Sequence, residues 1–223
     1  MAKVDFQGKS IMGEISDTEV ITRVLGGEKH LFAIIVRRYN ERLYRIGMSI
    51  INDDTEVEDV MQVTYIKGYE NLAKFIFKAD FSTWLIRILI NECFLVLRKR
   101  KHSIKLNGME HEIDHQHIKN VTTPAAKIVN TELKTILEKV ILQLPEKYRT
   151  VFIMREIENM NVAETKACLG ISGINVKVRL NRAKGLLRKS LKTFYNNEDI
   201  FNFHLSRCDR MVQKVLLQIG DGI

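Results

Sequence analysis

The residues best suited to chemistry lie between Asn161 and Leu191, in NVAETKACLGISGINVKVRLNRAKGLLRKSL. Lys177, Arg179, Arg182, Lys184, Arg188, Lys189 and Lys192 supply cations at helical spacing, and no acid occurs from Gly170 to Asn197. The chemistry such a face performs is ionic contact with a polyphosphate. A solvated cationic face on a core helix is the competing reading, but ordinary solvated faces mix signs and this one does not.

Two elements must position these cations. Asn161 suits an N-cap and Gly170 a helix stop. Ser172 suits a second N-cap, opening a longer helix on which Val176, Leu180, Ala183, Leu187 and Leu191 recur at spacings of four and three. A short helix, a turn and a long basic helix is the form of a helix-turn-helix, whose second helix enters the major groove.

Other candidates are weaker. The segment AKFIFKADFST interleaves Phe75, Phe77 and Phe81 with Lys74 and Lys78, a composition suited to single-stranded nucleic acid because bases stack on rings while cations follow phosphates. Alone, it reads better as three rings plugging the core beneath a loop. Arg98, Lys99, Arg100 and Lys101 end an apolar helix, where they either favour the helix dipole or form a phosphate-binding ridge. His111, His115 and His117 lie in a polar tract without a second ligand group, and His204 and Cys208 form only a pair. No metal or cofactor is expected. With no nucleophile–base pairing and no phosphate-cradling glycine loop, the chain is not expected to be an enzyme.

The whole composition agrees with this. The chain has 223 residues, 35 Lys and Arg against 27 Asp and Glu, and a formal charge of +8, which point to a polyanionic partner, nucleic acid or an acidic membrane surface. Cys93, Cys168 and Cys208 sit singly on apolar patterns, so a cytoplasmic location is expected, and no charge-free apolar run is long enough to span a bilayer. With two prolines and scarce strand patterning, the fold class is all-α.

Upstream, Ser16 and Glu19 fit a capping box for a short helix ending at Gly26 and Gly27. Phe32, Val36, Tyr39, Leu43, Ile46 and Ile50 stripe the next helix, and Asn52, Asp53 and Asp54 turn the chain into another. That one carries Val57, Val60, Met61, Thr64, Gly68 and Leu72 on one face and Glu58, Asp59, Gln62 and Lys67 on the other. The helix TWLIRILINECFLVLRKRKH is apolar on most sides, which predicts burial and a polar partner for Asn91. Leu133, Leu137, Val140, Ile141 and Leu144 point inward from a helix over 131–144. Pro145 is placed at the first position of the following helix, with Val151, Phe152 and Ile157 buried. Beyond Tyr195, Phe201, Leu205, Cys208, Val212, Val215 and Ile219 form an amphipathic stripe, expected to pack on the second domain.

Here the chain resembles a family. IINDDTEVEDVMQVTYIKGYENLAKF followed by FSTWLIRILINECFLVLRKRKH resembles the second region of bacterial sigma factors, and LQLPEKYRTVFIMREIENMNVAETKACLGISGINVKVRLNRAKGLLRK resembles their fourth. With only these two regions and a connector, the chain is similar to the extracytoplasmic-function class of the sigma-70 family. The resemblance implies two small helical domains joined by a flexible linker: a tail over 1–16, a region-2 bundle over 17–101, a linker over 102–129, a region-4 helix-turn-helix over 130–195, and a C-terminal extension over 196–223.

The resemblance also implies roles. Glu58, Asp59 and Gln62 match the face that docks on core RNA polymerase. Asn71, Lys74, Phe75, Lys78 and Phe81 match the loop that captures a flipped base of the melted minus-ten element. Trp84, Arg87 and Asn91 match the helix beside the melted strand, and Arg98, Lys99 and Arg100 its phosphate-contacting end. Ser172, Asn175, Lys177, Val178, Arg179, Arg182 and Lys184 match the reader of the minus-thirty-five element of promoter DNA. An anti-sigma factor is a further candidate partner. The sequence departs from the family at Val63, Leu95, Thr165, Lys166, Asn175 and Val178; Thr165 and Lys166 stand where a buried Ile and Ala are usual. Two other readings remain at this level: a stand-alone helix-turn-helix regulator, and a helical interaction protein using the C-terminal stripe.

Overall fold

The computed structural model describes residues 15–75, 80–106, 128–194 and 210–215. Lys78, Phe77, the histidines at 111, 115, 117 and 204, Cys208 and most of the expected C-terminal stripe lie outside them. The described elements are helical: α1 (Asp17–Leu25), α2 (Phe32–Ile51), α3 (Asp54–Glu70), α4 (Phe81–Leu106), α5 (Ile128–Leu142), α6 (Glu146–Phe152), α7 (Val162–Leu169) and α8 (Gly173–Phe194), with short 3-10 turns before α2 and after α3. The chain divides into two compact units, Met1–Lys184 and Gly185–Ile223.

In the first unit, α2, α3 and α4 pack pairwise into a bundle. Their stripes follow the helical period: Ile35, Tyr39, Leu43, Ile46 and Ile50 on α2, Val57 and Val60 on α3, and Leu85, Ile86, Leu89, Ile90 and Cys93 on α4 are buried. Gly47 is what lets α2 and α3 approach, since a Cβ there would lie 2.8 Å from Val57 Cγ1. Ser16 and Asp53 cap their helices, the capping box expected of Ser16 and Glu19 being formed only in its Ser16 half. Glu19 donates its backbone N–H to Ser16 Oγ at 3.2 Å and Glu56 to Asp53 Oδ1 at 2.9 Å. Asp17 is further fixed by Arg38 and Tyr39.

Within the first unit, α5, α6, α7 and the start of α8 up to Lys184 form the second group, and it packs on the first: α6 lies on α2, and α7 lies on α4. The polypeptide leaves α6 through a π turn, Ile153–Ile157, in which Glu158 N bonds Ile153 O at 2.9 Å and Met160 N bonds Met154 O at 2.9 Å. The wider turn rotates the face. Met154 becomes fully buried while Ile157, expected inside, is 39% exposed. Two further expectations shift: Pro145 is the N-cap residue rather than the first residue of α6, and Leu137 of α5 is 38% exposed. Asn91 is also exposed rather than buried, so its amide is open to solvent and the expected buried partner is not required.

Within Gly185–Ile223, Leu187 is buried and residues 210–215 are helical. Val212 and Val215, two members of the expected stripe, are exposed.

Candidate nucleic-acid and protein interfaces

The helix-turn-helix is built as its residue types dictate. Asn161 and Glu164 form a reciprocal capping box: Glu164 N donates to Asn161 Oδ1 at 2.9 Å, and Asn161 N donates to Glu164 Oε2 at 2.7 Å. Gly170 ends α7 with φ 64°, a left-handed conformation glycine adopts without the Cβ penalty. Ser172 Oγ accepts from Asn175 N at 3.2 Å and opens α8. Thr165 is buried with its hydroxyl donating to Asn161 O at 2.8 Å, and Lys166 is exposed, so neither departure from an apolar pair disturbs the packing of α7.

On α8, Val176 and Ala183 are buried, whereas Ser172, Asn175, Lys177, Val178, Arg182 and Lys184 are exposed and Arg179 is half-buried. These residues form one surface. Two of its cations are held by the scaffold: Arg182 donates to Tyr148 Oη at 3.3 Å, and Lys184 pairs with Glu156 at 2.9 Å. The Arg182 guanidinium, with help from Lys147, draws the Tyr148 hydroxyl below the usual tyrosine range.

The second candidate surface follows α4. Trp84, Arg87 and Asn91 recur at three and four and share a face, with Trp84 half-buried and Arg87 and Asn91 exposed. Arg98 and Lys99 continue it and are exposed; Arg100 is engaged instead by Glu56 at 2.6 Å. Phe75 and Phe81 are buried, their rings packed at 5.3 Å centroid separation and against Trp84 at 5.3 and 5.5 Å. They are therefore core plugs, as the segment alone predicts for these two rings, packed against each other; Trp84 is the ring with surface to spare. Asn71 closes α3 by donating to Lys67 O at 2.9 Å and accepts from Lys74 at 3.0 Å.

The third surface lies on α2 and α3. Glu58, Asp59 and Gln62 are exposed, and Glu58 and Gln62 border an open groove of roughly 550 Å³ that also takes in Tyr44, Met61 and Tyr65. Tyr44 donates to Asp54 at 2.6 Å; desolvation and that carboxylate push its hydroxyl up to about 12.

Three residues given no functional role from the sequence join the helix groups. Arg149, 4% exposed, donates to Ser49 O at 2.6 Å and Leu142 O at 2.8 Å, and desolvation lowers its pKa. Glu158 pairs with Arg45 and, at 3.5 Å, with Arg42. Cys168 Sγ donates to Thr83 O at 3.5 Å. Among the described residues, no cluster of three or more His, Cys, Asp or Glu could hold a metal, and no helix is long and apolar enough to cross a membrane.

Comparison with known proteins places both helix groups. Residues 35–103 match the family model for sigma-70 region 2, and residues 134–187 match that for sigma-70 region 4. The chain is 32% identical over 177 residues to the ECF RNA polymerase sigma factor SigW of Bacillus subtilis, covering 77% of this chain and 95% of that protein. It is 29% identical to the RNA polymerase sigma-H factor of Pseudomonas aeruginosa, covering 79% and 94%. In fold it is similar to the sigma factor RpoE of Bartonella quintana, solved with the anti-sigma factor NepR (TM-score 0.58, 21% identity, 72% and 96% covered). It is also similar to CnrH, solved with the cytosolic domain of CnrY (TM-score 0.53, 23% identity, 78% and 96% covered).

Proposed function

The chain belongs to the extracytoplasmic-function class of the sigma-70 family, and from that premise we propose how its surfaces divide the work of starting transcription. It directs promoter-specific transcription initiation, binding core RNA polymerase and promoter DNA. In our reading, α8 enters the major groove of the minus-thirty-five element. The capped start of α8 brings Ser172, Asn175 and Val178 nearest the bases, and Lys177, Arg179, Arg182 and Lys184 neutralise phosphates. Trp84, Arg87, Asn91, Arg98 and Lys99 line the path of the melted minus-ten strand. The loop after α3 receives the flipped base, with Phe75 and Phe81 holding its frame. Unstacking that base costs a few kcal/mol, which stacking on Trp84 offsets. Glu58, Asp59 and Gln62, beside the α2–α3 groove, dock on core polymerase. Catalysis belongs to the polymerase, which makes the cytoplasm the place of action.

The observation that carries this reading is the exposed, acid-free face of α8, opened by the Ser172 cap after a capped α7, in the same chain as the region-2 bundle. Both structural relatives were solved with a protein bound, NepR being an anti-sigma factor, and we extend an anti-sigma partner to this chain. Run-off transcription with core polymerase on a promoter library tests the reading. RNA starting at defined positions only when this chain is added supports it. Tight, specific duplex binding by the chain alone, without stimulation of core, would instead mean a stand-alone regulator.

A further inference from the structure

Ile174 is 76% exposed on α8, and Val178, one turn on, is 39% exposed. An exposed isoleucine in the first turn of a helix gains nothing for folding. It buries no area, and β-branched residues are not strong helix formers. Val176, between them, is fully buried. At about 100° per residue, Ile174 and Val178 each lie roughly 160° from Val176, so they form the ridge opposite the buried stripe. Lys177 and Lys184 fall on one flank of that ridge, and Arg179 and Arg182 on the other. An apolar ridge between two rows of cations is complementary to the major groove: phosphates form its two walls, and the ridge faces the floor. The one apolar group on that floor is the 5-methyl of thymine.

We propose that Ile174 and Val178 are specificity-determining residues that read thymine methyl groups in the minus-thirty-five element. The two side chains are about 6 Å apart along the helix, roughly two base steps, so they address separate thymines. The flanking cations fix the depth and register of the helix, and apolar contact supplies discrimination that hydrogen bonding cannot provide here, because neither side chain has a polar atom. This inference rests on the assignment of α8 to the minus-thirty-five element.

The test uses holoenzyme assembled from core polymerase and the full chain. The minus-thirty-five element is selected from a randomised promoter library, and each thymine of the winning sequence is then replaced by deoxyuridine, which lacks only the methyl. At one or two positions, deoxyuridine should lower the initial rate of run-off RNA roughly fourfold, the ratio expected for one buried methyl-sized group. Ile174→Ala should abolish the thymine–deoxyuridine difference at one position and Val178→Ala at the other. Alanine is the better helix former at exposed positions, so both variants fold. Deoxyuridine without effect at every position overturns the inference, as does an unchanged difference in both variants or a selected element lacking thymine on either strand. If the variants lose only the binding of a protein partner, the ridge is a protein-docking surface and the inference falls. If the library yields no preferred upstream sequence, the assignment of α8 fails first and takes the inference with it.

Discussion

Glu158 and Arg45 pair across the two helix groups of the first unit, and Arg42 adds a second guanidinium at 3.5 Å. The Glu158 side chain is only 5% exposed. It reaches α2 because the π turn widens the chain just before it, and Asn159 follows in a left-handed conformation (φ 53°). The reader group is thereby held against the region-2 bundle, whereas promoter elements centred near minus ten and minus thirty-five are separated by roughly 80 Å of duplex. On the proposed assignment of α4 and α8 to those elements, the two groups part on the promoter.

Glu158→Gln should loosen that contact. A fully buried pair broken on one side costs roughly 3–5 kcal/mol, but Arg45 is 43% exposed and screened, so about 1–2 kcal/mol is expected. The variant should show a larger radius of gyration by small-angle scattering and an earlier urea midpoint. Identical scattering curves for variant and wild type would show that the pair does not hold the groups together.

Arg149 is the second tie. Its guanidinium caps Ser49 O in the last turn of α2, a carbonyl without an intrahelical partner, and it also bonds Leu142 O at the end of α5. Arg149→Met keeps the stem and removes the donors, leaving Leu142 O short of a partner and Ser49 O with only the Thr150 hydroxyl at 3.3 Å, at a cost of about 1–3 kcal/mol. Arg149→Lys should recover little, because one ammonium cannot reproduce the planar fork. Urea unfolding of both variants decides it; a lysine variant as stable as wild type would mean that charge rather than geometry matters.

What was legible in the sequence is what local chemistry decides. Asn161, Gly170 and Ser172 announce the helix-turn-helix because each acts within four residues of itself. The stripe of α2 could be read because a helix repeats its environment every turn. Arg149 and Glu158 could not be read this way, since their partners Ser49 and Arg45 lie 100 and 113 positions away. Ile157 was misplaced because a π turn breaks the 3.6-residue period without a sequence marker. Asn91 was misplaced because α4 has more apolar surface than neighbours to cover it; Leu95, one turn on, is 44% exposed too. Ile174 carries no local signal for the opposite reason: an apolar residue in a basic helix is set apart only by its exposure.

Gly47 sets the approach of α2 and α3. In Gly47→Ala the new methyl would sit 2.8 Å from Val57 Cγ1, and overpacking of this kind costs about 1–3 kcal/mol. Adding Val57→Ala should return part of that loss, so the two substitutions should be strongly non-additive in thermal unfolding. Simple additivity would mean that the helices slide apart instead.

Cys93 and Cys168 give the protein an alkaline liability. Burial pushes both thiols up to about 12 from an ordinary value of 9.0, so the folded state holds protons that the unfolded state releases. Their contribution is intact below pH 9 and is lost as pH rises from there towards 12. Stability should therefore decline above pH 9. Neither thiol should react with a thiol reagent at pH 8 until urea unfolds the chain. Rapid labelling of native protein at either position would show that the site opens locally.

Arg179 is the residue on α8 whose role its position now distinguishes. It lies about 60° from buried Val176, on the flank of the helix, and is half-buried. With α8 docked as proposed, that flank faces a groove wall rather than the floor, and we assign Arg179 a phosphate contact. Arg179→Ala should weaken promoter binding by a similar factor on every upstream sequence and reduce the slope of log affinity against log salt by about 0.9. A base contact would behave differently, with specificity relaxed at one position, a loss of about 1–3 kcal/mol confined to the preferred base, and an unchanged salt slope. Titrating holoenzyme against a panel of single-base upstream variants at several salt concentrations separates the two. Position-dependent loss in that panel would move Arg179 from the wall to the floor of the groove.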